Sequence, residues 1–188
     1  MPQPIRYLLA AVVFLLPLSS IHAAEPYGYP LHNPFEATIA GTPRPFMPPL
    51  PADKQIDEKD YSLKLLPERA HALPANFWPV KHFKYRLARQ KQAAPLIFII
   101  AGTGARYDAT SMEFLKKLFY GAGFHVVQLS SPTSYDFMVS ASVHATPGYS
   151  PLDAAELYAI MQRIRQQHDD LPVNSWHLTG YSLGALQA

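Results

Sequence analysis

The sequence predicts an α/β fold, in which a mostly parallel sheet carries helices on both faces. Two observations predict it. Apolar strand-forming runs alternate with amphipathic helical patterns over residues 95–188, and this alternation indicates parallel strands joined by helical crossovers. The last predicted strand leads into a G-x-S-x-G pattern at residues 180–184, which good helix formers follow.

The first predicted strand covers residues 95–100, a continuous apolar run typical of a strand buried on both faces. A helix is predicted next. Residues 110–113 have the pattern of a capping box, and Gly121 and Gly123 are expected to end the helix. Its apolar stripe is formed by Met112, Leu115 and Phe119.

The second predicted strand covers residues 124–129, and the third covers residues 175–179. Between them, Ser150 is expected to cap a helix that has Pro151 in its first turn. Upstream, residues 61–65 and 83–87 alternate with a period of two, which predicts two antiparallel leading strands.

The glycine-flanked serine follows a strand and opens a helix, and so resembles the nucleophile elbow of the α/β-hydrolases. The resemblance covers residues 95–188 well and residues 57–94 loosely. It implies that Ser182 is a nucleophile that attacks an ester-type carbonyl, with Gly180 and Gly184 allowing close backbone packing. The alternative is an ordinary strand–helix turn with a solvated serine.

The loop after the first buried strand, Ala-Gly-Thr-Gly-Ala at residues 101–105, is the candidate oxyanion loop. The resemblance implies oxyanion donors from Leu183 and from this loop, where Thr103 and Gly104 both remain candidates. Ala101 stands where the commoner version of this loop has histidine. The alternatives are a glycine-rich turn without catalytic role or a phosphate cradle, although the spacing fits neither the Walker nor the Rossmann pattern.

The acid and the histidine of the triad follow the serine in this family, so both are expected beyond residue 188. The chain is therefore expected to be an incomplete N-terminal portion that is inactive alone. His125 and His177 are assigned to strands. His144 is the only histidine predicted in a loop at the correct sheet edge, but it would violate the triad order. Asp108 and Asp136 are expected to cap turns.

Residues 1–23 have the pattern of a signal peptide, with Arg6, an apolar stretch over residues 7–18 and a small residue at Ala23. They predict a periplasmic or secreted protein, and an uncleaved anchor is the alternative. Absence of cysteine excludes disulfides and a cysteine nucleophile. With 16 basic and 14 acidic residues, the charge gives no basis for nucleic-acid binding.

Residues 24–56 are predicted to form a proline-rich arm or linker without regular helix, and residues 57–188 a partial hydrolase domain. The long loop over residues 130–149 lies where open α/β sheets bind ligands. Its apolar side chains are expected either to line an acyl pocket or to anchor the loop, and they are Tyr135, Phe137 and Met138.

The sequence therefore predicts an exported serine hydrolase that acts on a small-molecule or lipid-like acyl substrate, without cofactor or metal ion. A thioesterase, peptidase or depolymerase would use the same scaffold. The alternative from another class is a non-catalytic protein that keeps the fold for binding or structure. The oligomeric state is not indicated by any pattern in the sequence.

Overall fold

The computed structural model describes residues 31–40, 47–72, 74–144 and 146–188, so the predicted signal peptide lies outside the described residues. The chain divides into two compact units, residues 1–47 and 48–188. The first unit contains helix α1 (Pro34–Ala40). The expectation that residues 24–56 contain no regular helix was wrong, because Pro34 occupies the tolerated first turn and Asn33 Oδ1 accepts hydrogen bonds from two amides there.

The second unit starts at Pro48 and therefore includes the end of the segment that we assigned to the arm. It contains a five-stranded mixed sheet with the order β1-β2-β4-β3-β5. Strands β4, β3 and β5 are parallel, and β2 pairs antiparallel with both β1 and β4. The strands are β1 (Asp57–Leu63), β2 (Phe83–Arg89), β3 (Ala94–Ile100), β4 (His125–Leu129) and β5 (Val173–Gly180).

Helices cover both faces of this sheet, as predicted. The helices of the second unit are α2 (Pro67–Ala72), α3 (Thr110–Gly121), α4 (Tyr135–Ser140), α5 (Ser150–Gln167) and α6 (Leu183–Gln187), with short 3₁₀ helices at Asp53–Gln55 and Ala75–Val80. Helices α4 and α5 pack on one face through Phe137, Leu157 and Ile164. Helix α3 packs on the other face through Met112. Within the described residues, no helix has the length and hydropathy needed to cross a bilayer.

Two predicted helix caps are absent. The residue before α3 is Ala109, which provides no side-chain cap, and the Glu113 side chain does not bond back to the helix start. Instead, the Glu113 carboxylate pairs with Arg86 and with the fully buried Lys116. A buried ammonium group requires a carboxylate partner more strongly than an exposed helix end requires a cap. Helix α5 likewise includes Ser150 as its first residue, so this serine is not its cap.

The loop predicted over residues 130–149 contains α4, and the structure shows the role of one of the three apolar side chains considered there. Phe137 is fully buried and contacts Phe83 edge to face, with ring centroids 5.5 Å apart. Tyr135 is about half exposed. Phe137 therefore anchors the loop to the core, and this residue lines no acyl pocket.

Strand β5 forms an edge of the sheet, because within the described residues it pairs with β3 alone. Trp176 and Leu178 project from it with 43% and 39% of their surfaces exposed. Arg165 of α5 lies over the Trp176 ring, 4.9 Å from the ring centroid. The carboxyl end of this edge strand is the point where the candidate site begins.

Candidate active site

The turn between β5 and α6 has the geometry of a nucleophile elbow. Ser182 stands at its apex with φ 53° and ψ −128°, and among the described residues it is the only non-glycine with a positive φ. A serine in this region is strained and requires support from its surroundings. Backbone hydrogen bonds provide part of it, since Gly184 N donates to Tyr181 O at 3.0 Å and Ala185 N to Ser182 O at 3.1 Å.

Both motif glycines occupy positions where the backbone of another segment fills the space of a side chain. A Cβ atom on Gly180 would lie 2.3 Å from the carbonyl group of Gly184. A Cβ atom on Gly184 would lie 2.3 Å from the carbonyl oxygen of Ile100 in β3. The motif spacing is therefore a packing requirement of the elbow, as predicted from the sequence.

Gly102 belongs to the same packed unit, although the sequence pattern did not single it out. A Cβ atom on Gly102 would lie 2.7 Å from Tyr181 Cε2 and 3.0 Å from Ser182 Cβ. The loop after β3 is thus in direct contact with the serine. The glycine-rich composition of residues 101–105 was the available signal, but composition does not say which glycine approaches the serine.

The two amides considered as loop donors have different environments. Gly104 N donates to Thr133 Oγ1 at 2.9 Å and is therefore engaged within the protein. Thr103 is exposed, and within the described part of the chain neither its amide nor its hydroxyl has a hydrogen-bond partner. The Leu183 amide at the start of α6 has no intramolecular acceptor there either. The amides of Thr103 and Leu183 are thus free of intramolecular acceptors among the described residues.

The loop after β4 supports the loop after β3. Ser131 N donates to Ala105 O at 3.0 Å, and the hydroxyl groups of Ser131 and Thr133 are 2.9 Å apart. The buried Asp136 carboxylate accepts hydrogen bonds from Ser130 and Ser134 at 2.7 and 2.6 Å. Asp136 therefore stabilises a turn, as expected, and the hydroxyl-rich loop fixes the position of the candidate oxyanion loop.

No histidine is bonded to Ser182 within the described residues. His125 is buried, and its Nδ1 accepts from Gln90 N at 3.0 Å. Burial lowers the pKa of His125. His144 contacts carboxylates and Thr146.

His177 was expected to be a satisfied core or sheet residue, and it is a sheet residue. It lies in β5 but is exposed, because no described strand covers this edge. Its Nε2 bonds to the Ser175 hydroxyl at 3.0 Å. Asp108, the other loop aspartate, pairs with Arg106 at 3.0 Å. The described residues thus contain the elbow and the donor groups, but they place no base beside the serine.

Parallel strands with helices on both sheet faces lead into a strained serine turn and a helix. This α/β arrangement resembles part of an α/β-hydrolase fold. A fold of this kind does not by itself establish an activity.

No family model and no curated protein matches the sequence. Among solved structures, the chain is similar to a dienelactone hydrolase from Anabaena variabilis ATCC 29413, with 13% identity, a TM-score of 0.46 and coverage of 67% of this chain and 52% of that one. It is similar to a cold-adapted esterase from an Arctic intertidal metagenomic library, with 11% identity, a TM-score of 0.44 and coverage of 73% and 56%.

A carboxyl esterase from Bacillus coagulans, solved in complex with glycerol, shows 17% identity and a TM-score of 0.43, with coverage of 70% of this chain and 38% of that one. The chain thus spans between 38% and 56% of the length of these three proteins.

Proposed function

We propose that this chain is the N-terminal part of an exported serine hydrolase that cleaves an ester-type acyl substrate, with Ser182 as nucleophile. The observation that carries the proposal is the backbone of Ser182. A strained φ of 53° is retained by a serine whose neighbours pack backbone against backbone. Such strain is characteristic of sites where a side chain must be presented in one fixed direction.

In the proposed reaction, Ser182 Oγ attacks the acyl carbonyl carbon and forms a tetrahedral intermediate. In this proposal its oxyanion accepts hydrogen bonds from the amides of Leu183 and Thr103, and the Thr103 hydroxyl adds a further donor. The alcohol leaves, and water then attacks the acyl-enzyme to release the acid and regenerate the serine. The base that takes the serine proton has to come from outside the described residues.

A fluorophosphonate probe tests the role of Ser182 in the longest version of the protein that can be produced. We expect the wild type to be labelled and Ser182→Ala to be unlabelled with an unchanged fold. Ser175→Ala is the matched control, since Ser175 is an exposed serine of β5. Labelling that persists in Ser182→Ala would exclude this nucleophile, and a correctly folded wild type that is never labelled would favour the non-catalytic alternative.

The oxyanion assignment has its own test. Thr103→Val removes the hydroxyl and keeps the amide, so we expect labelling to persist. Ester turnover should fall because the activation barrier rises by up to about 2–4 kcal/mol. Thr103→Ser keeps both groups and serves as the control. Equal turnover in the valine and serine variants would limit the role of Thr103 to its amide.

Export is a separate part of the proposal, since residues 1–23 supply its only support. Intact mass of protein recovered from the periplasm or the medium tests it. We expect a mature chain that begins at or near residue 24. Recovery of a chain that begins at Met1 would contradict cleavage and favour a retained anchor.

A further inference from the structure

A buried cluster of one histidine and two carboxylates lies where the loop after α4 meets the first turns of α5. His144 Nε2 is 3.2 Å from Asp153 Oδ1 and 3.4 Å from Glu156 Oε2. The three ligand atoms all lie within 4.8 Å of one another. Only 13%, 1% and 12% of the side-chain surfaces of His144, Asp153 and Glu156 are exposed. These side chains converge on one enclosed point.

Each of the three facing atoms is buried and has no hydrogen-bond partner among the described residues. The second oxygen of each carboxylate is satisfied. Asp153 Oδ2 accepts from Gly148 N and from Gln187 Nε2, both at 2.9 Å, and Glu156 Oε1 accepts from Val143 N at 2.6 Å. Because hydrogen bonds from neighbouring residues hold one oxygen of each carboxylate, the other oxygen of each points toward the His144 nitrogen.

The charge of this cluster is unbalanced. Within the described residues, His144 is the only side chain that forms an ion pair with either carboxylate. With a neutral imidazole, two buried negative charges face each other, and burial of unpaired charge is strongly unfavourable. A bound divalent cation would balance both.

The two separations from the histidine nitrogen fit a shared ion. Ligands at about 2.1 Å from one metal ion are roughly 3.0 Å apart in octahedral and roughly 3.4 Å apart in tetrahedral geometry. The measured separations from His144 Nε2, 3.2 and 3.4 Å, fall in this range. The histidine favours zinc-type ions, since magnesium and calcium select oxygen ligands alone.

We propose that His144 Nε2, Asp153 Oδ1 and Glu156 Oε2 bind one zinc-type divalent cation, which leaves a coordination position for water. His144 Nδ1 accepts from the Thr146 amide and lies 3.2 Å from the Thr146 hydroxyl. Metal on Nε2 would place the imidazole proton on Nδ1, so binding requires Thr146 to shift until its hydroxyl, and not its amide, faces Nδ1. This site adds a metal to a protein for which the sequence predicted none, and it does not depend on the proposed function.

The cation would connect three segments near the elbow. His144 belongs to the loop after α4, and Asp153 and Glu156 belong to α5. Gln187, which donates to Asp153, is the last residue of α6, and Ser182 directly precedes that helix. We therefore infer a structural ion that holds the loop and α6 in place, with no part in the acyl chemistry.

The test uses the full chain, freed of metal by a chelator and titrated with zinc chloride in a calorimeter. We expect one equivalent of Zn²⁺ to bind and the unfolding temperature to rise with zinc concentration. Glu156→Gln keeps an oxygen for the Val143 amide, so we expect it to fold and to bind Zn²⁺ at least about 100-fold more weakly. His144→Gln is expected to weaken binding similarly.

His177→Gln is the matched control, since His177 is an exposed histidine that bonds to Ser175 and lies outside the cluster. It should bind Zn²⁺ like the wild type. Three results would overturn the proposal: no stoichiometric binding by the folded wild type, unchanged affinity in folded Glu156→Gln, or equal affinity for Mg²⁺ and Zn²⁺. A cobalt-substituted protein with absorption bands typical of oxygen-only octahedral coordination would also overturn it.

Discussion

The elbow and the buried cluster are associated with opposite ends of α6, and both contain polar groups without intramolecular partners. At the elbow these groups are the backbone amides of Thr103 and Leu183, beside an exposed serine. In the cluster they are side-chain atoms of His144, Asp153 and Glu156, which are buried. Water can satisfy an exposed amide at little cost, whereas a buried carboxylate requires a permanent partner. The first arrangement suits a ligand that comes and goes, the second a resident ion.

The two sites should also differ in how far a substitution lowers the free energy of unfolding. The largest loss is expected from a substitution in the elbow. Gly184→Ala places a Cβ atom 2.3 Å from Ile100 O, and this backbone oxygen cannot move without disturbing β3. We expect the free energy of unfolding, measured in urea, to fall by at least about 3 kcal/mol.

Gly121→Ala is the control for this substitution. Its Cβ would lie 3.3 Å from the Pro51 ring, and the nearest backbone atom outside the helix, Pro49 O, would be 3.9 Å away. It should change the free energy by less than about 1 kcal/mol. Equal losses of unfolding free energy in Gly184→Ala and Gly121→Ala would contradict the conclusion that close backbone contacts hold the elbow together.

His168 is a buried histidine whose two ring nitrogens both have partners, and it can be compared with His144 of the cluster. His168 is buried, with Nδ1 3.0 Å from Arg89 Nη2 and Nε2 2.7 Å from the Tyr85 hydroxyl. Arg89 can only donate, so His168 Nδ1 accepts and its Nε2 carries the proton. Burial, reinforced by Arg89, lowers the pKa of His168.

Because the pKa is lowered in the folded state, the unfolded chain binds the proton first on acidification. Stability that His168 contributes is therefore present above about pH 6.5 and decreases as the pH falls below it. Urea unfolding of the wild type between pH 7.5 and 5 should show this decrease, and His168→Gln should reduce its slope. An unchanged slope would contradict the assignment of His168 as a neutral buried histidine.

A smaller effect is expected for the side chain that supports the candidate oxyanion loop. Thr133→Val removes the hydroxyl that accepts from Gly104 N and leaves that amide without its partner. We expect a loss of roughly 1 kcal/mol in urea unfolding, whereas Thr133→Ser should stay close to the wild type. If valine and serine were equally stable, the hydroxyl would have no measurable part in fixing this loop.

The smallest expected effect isolates the strain at Ser182. Ser182→Gly and Ser182→Ala both remove the hydroxyl, but only glycine adopts a φ of 53° without strain. We expect the glycine variant to be more stable than the alanine variant by roughly 0.5–1 kcal/mol. A glycine variant that is less stable than alanine would show that the elbow does not hold this residue under strain.

Periodicity and glycine spacing predicted the alternating elements and the elbow, because both are properties of neighbouring residues. The contacts of Gly102 and the convergence of His144 with Asp153 depend on how separate loops fold, and no local pattern encodes them. The capping box at residues 110–113 failed for a related reason. Glu113 is recruited by the distant Arg86 and the buried Lys116, and these contacts replace a helix cap.

The backbone contact between Gly184 and Ile100 has a consequence for the order in which the chain folds. The two residues are far apart in sequence, and the contact exists only after β3 and β5 have paired. Closing so long a loop is entropically unfavourable, so it comes late unless the intervening strands and helices have formed. The strain at Ser182 is therefore imposed after the sheet is assembled, and a folding intermediate that lacks β5 would contain a relaxed serine that fluorophosphonates do not label.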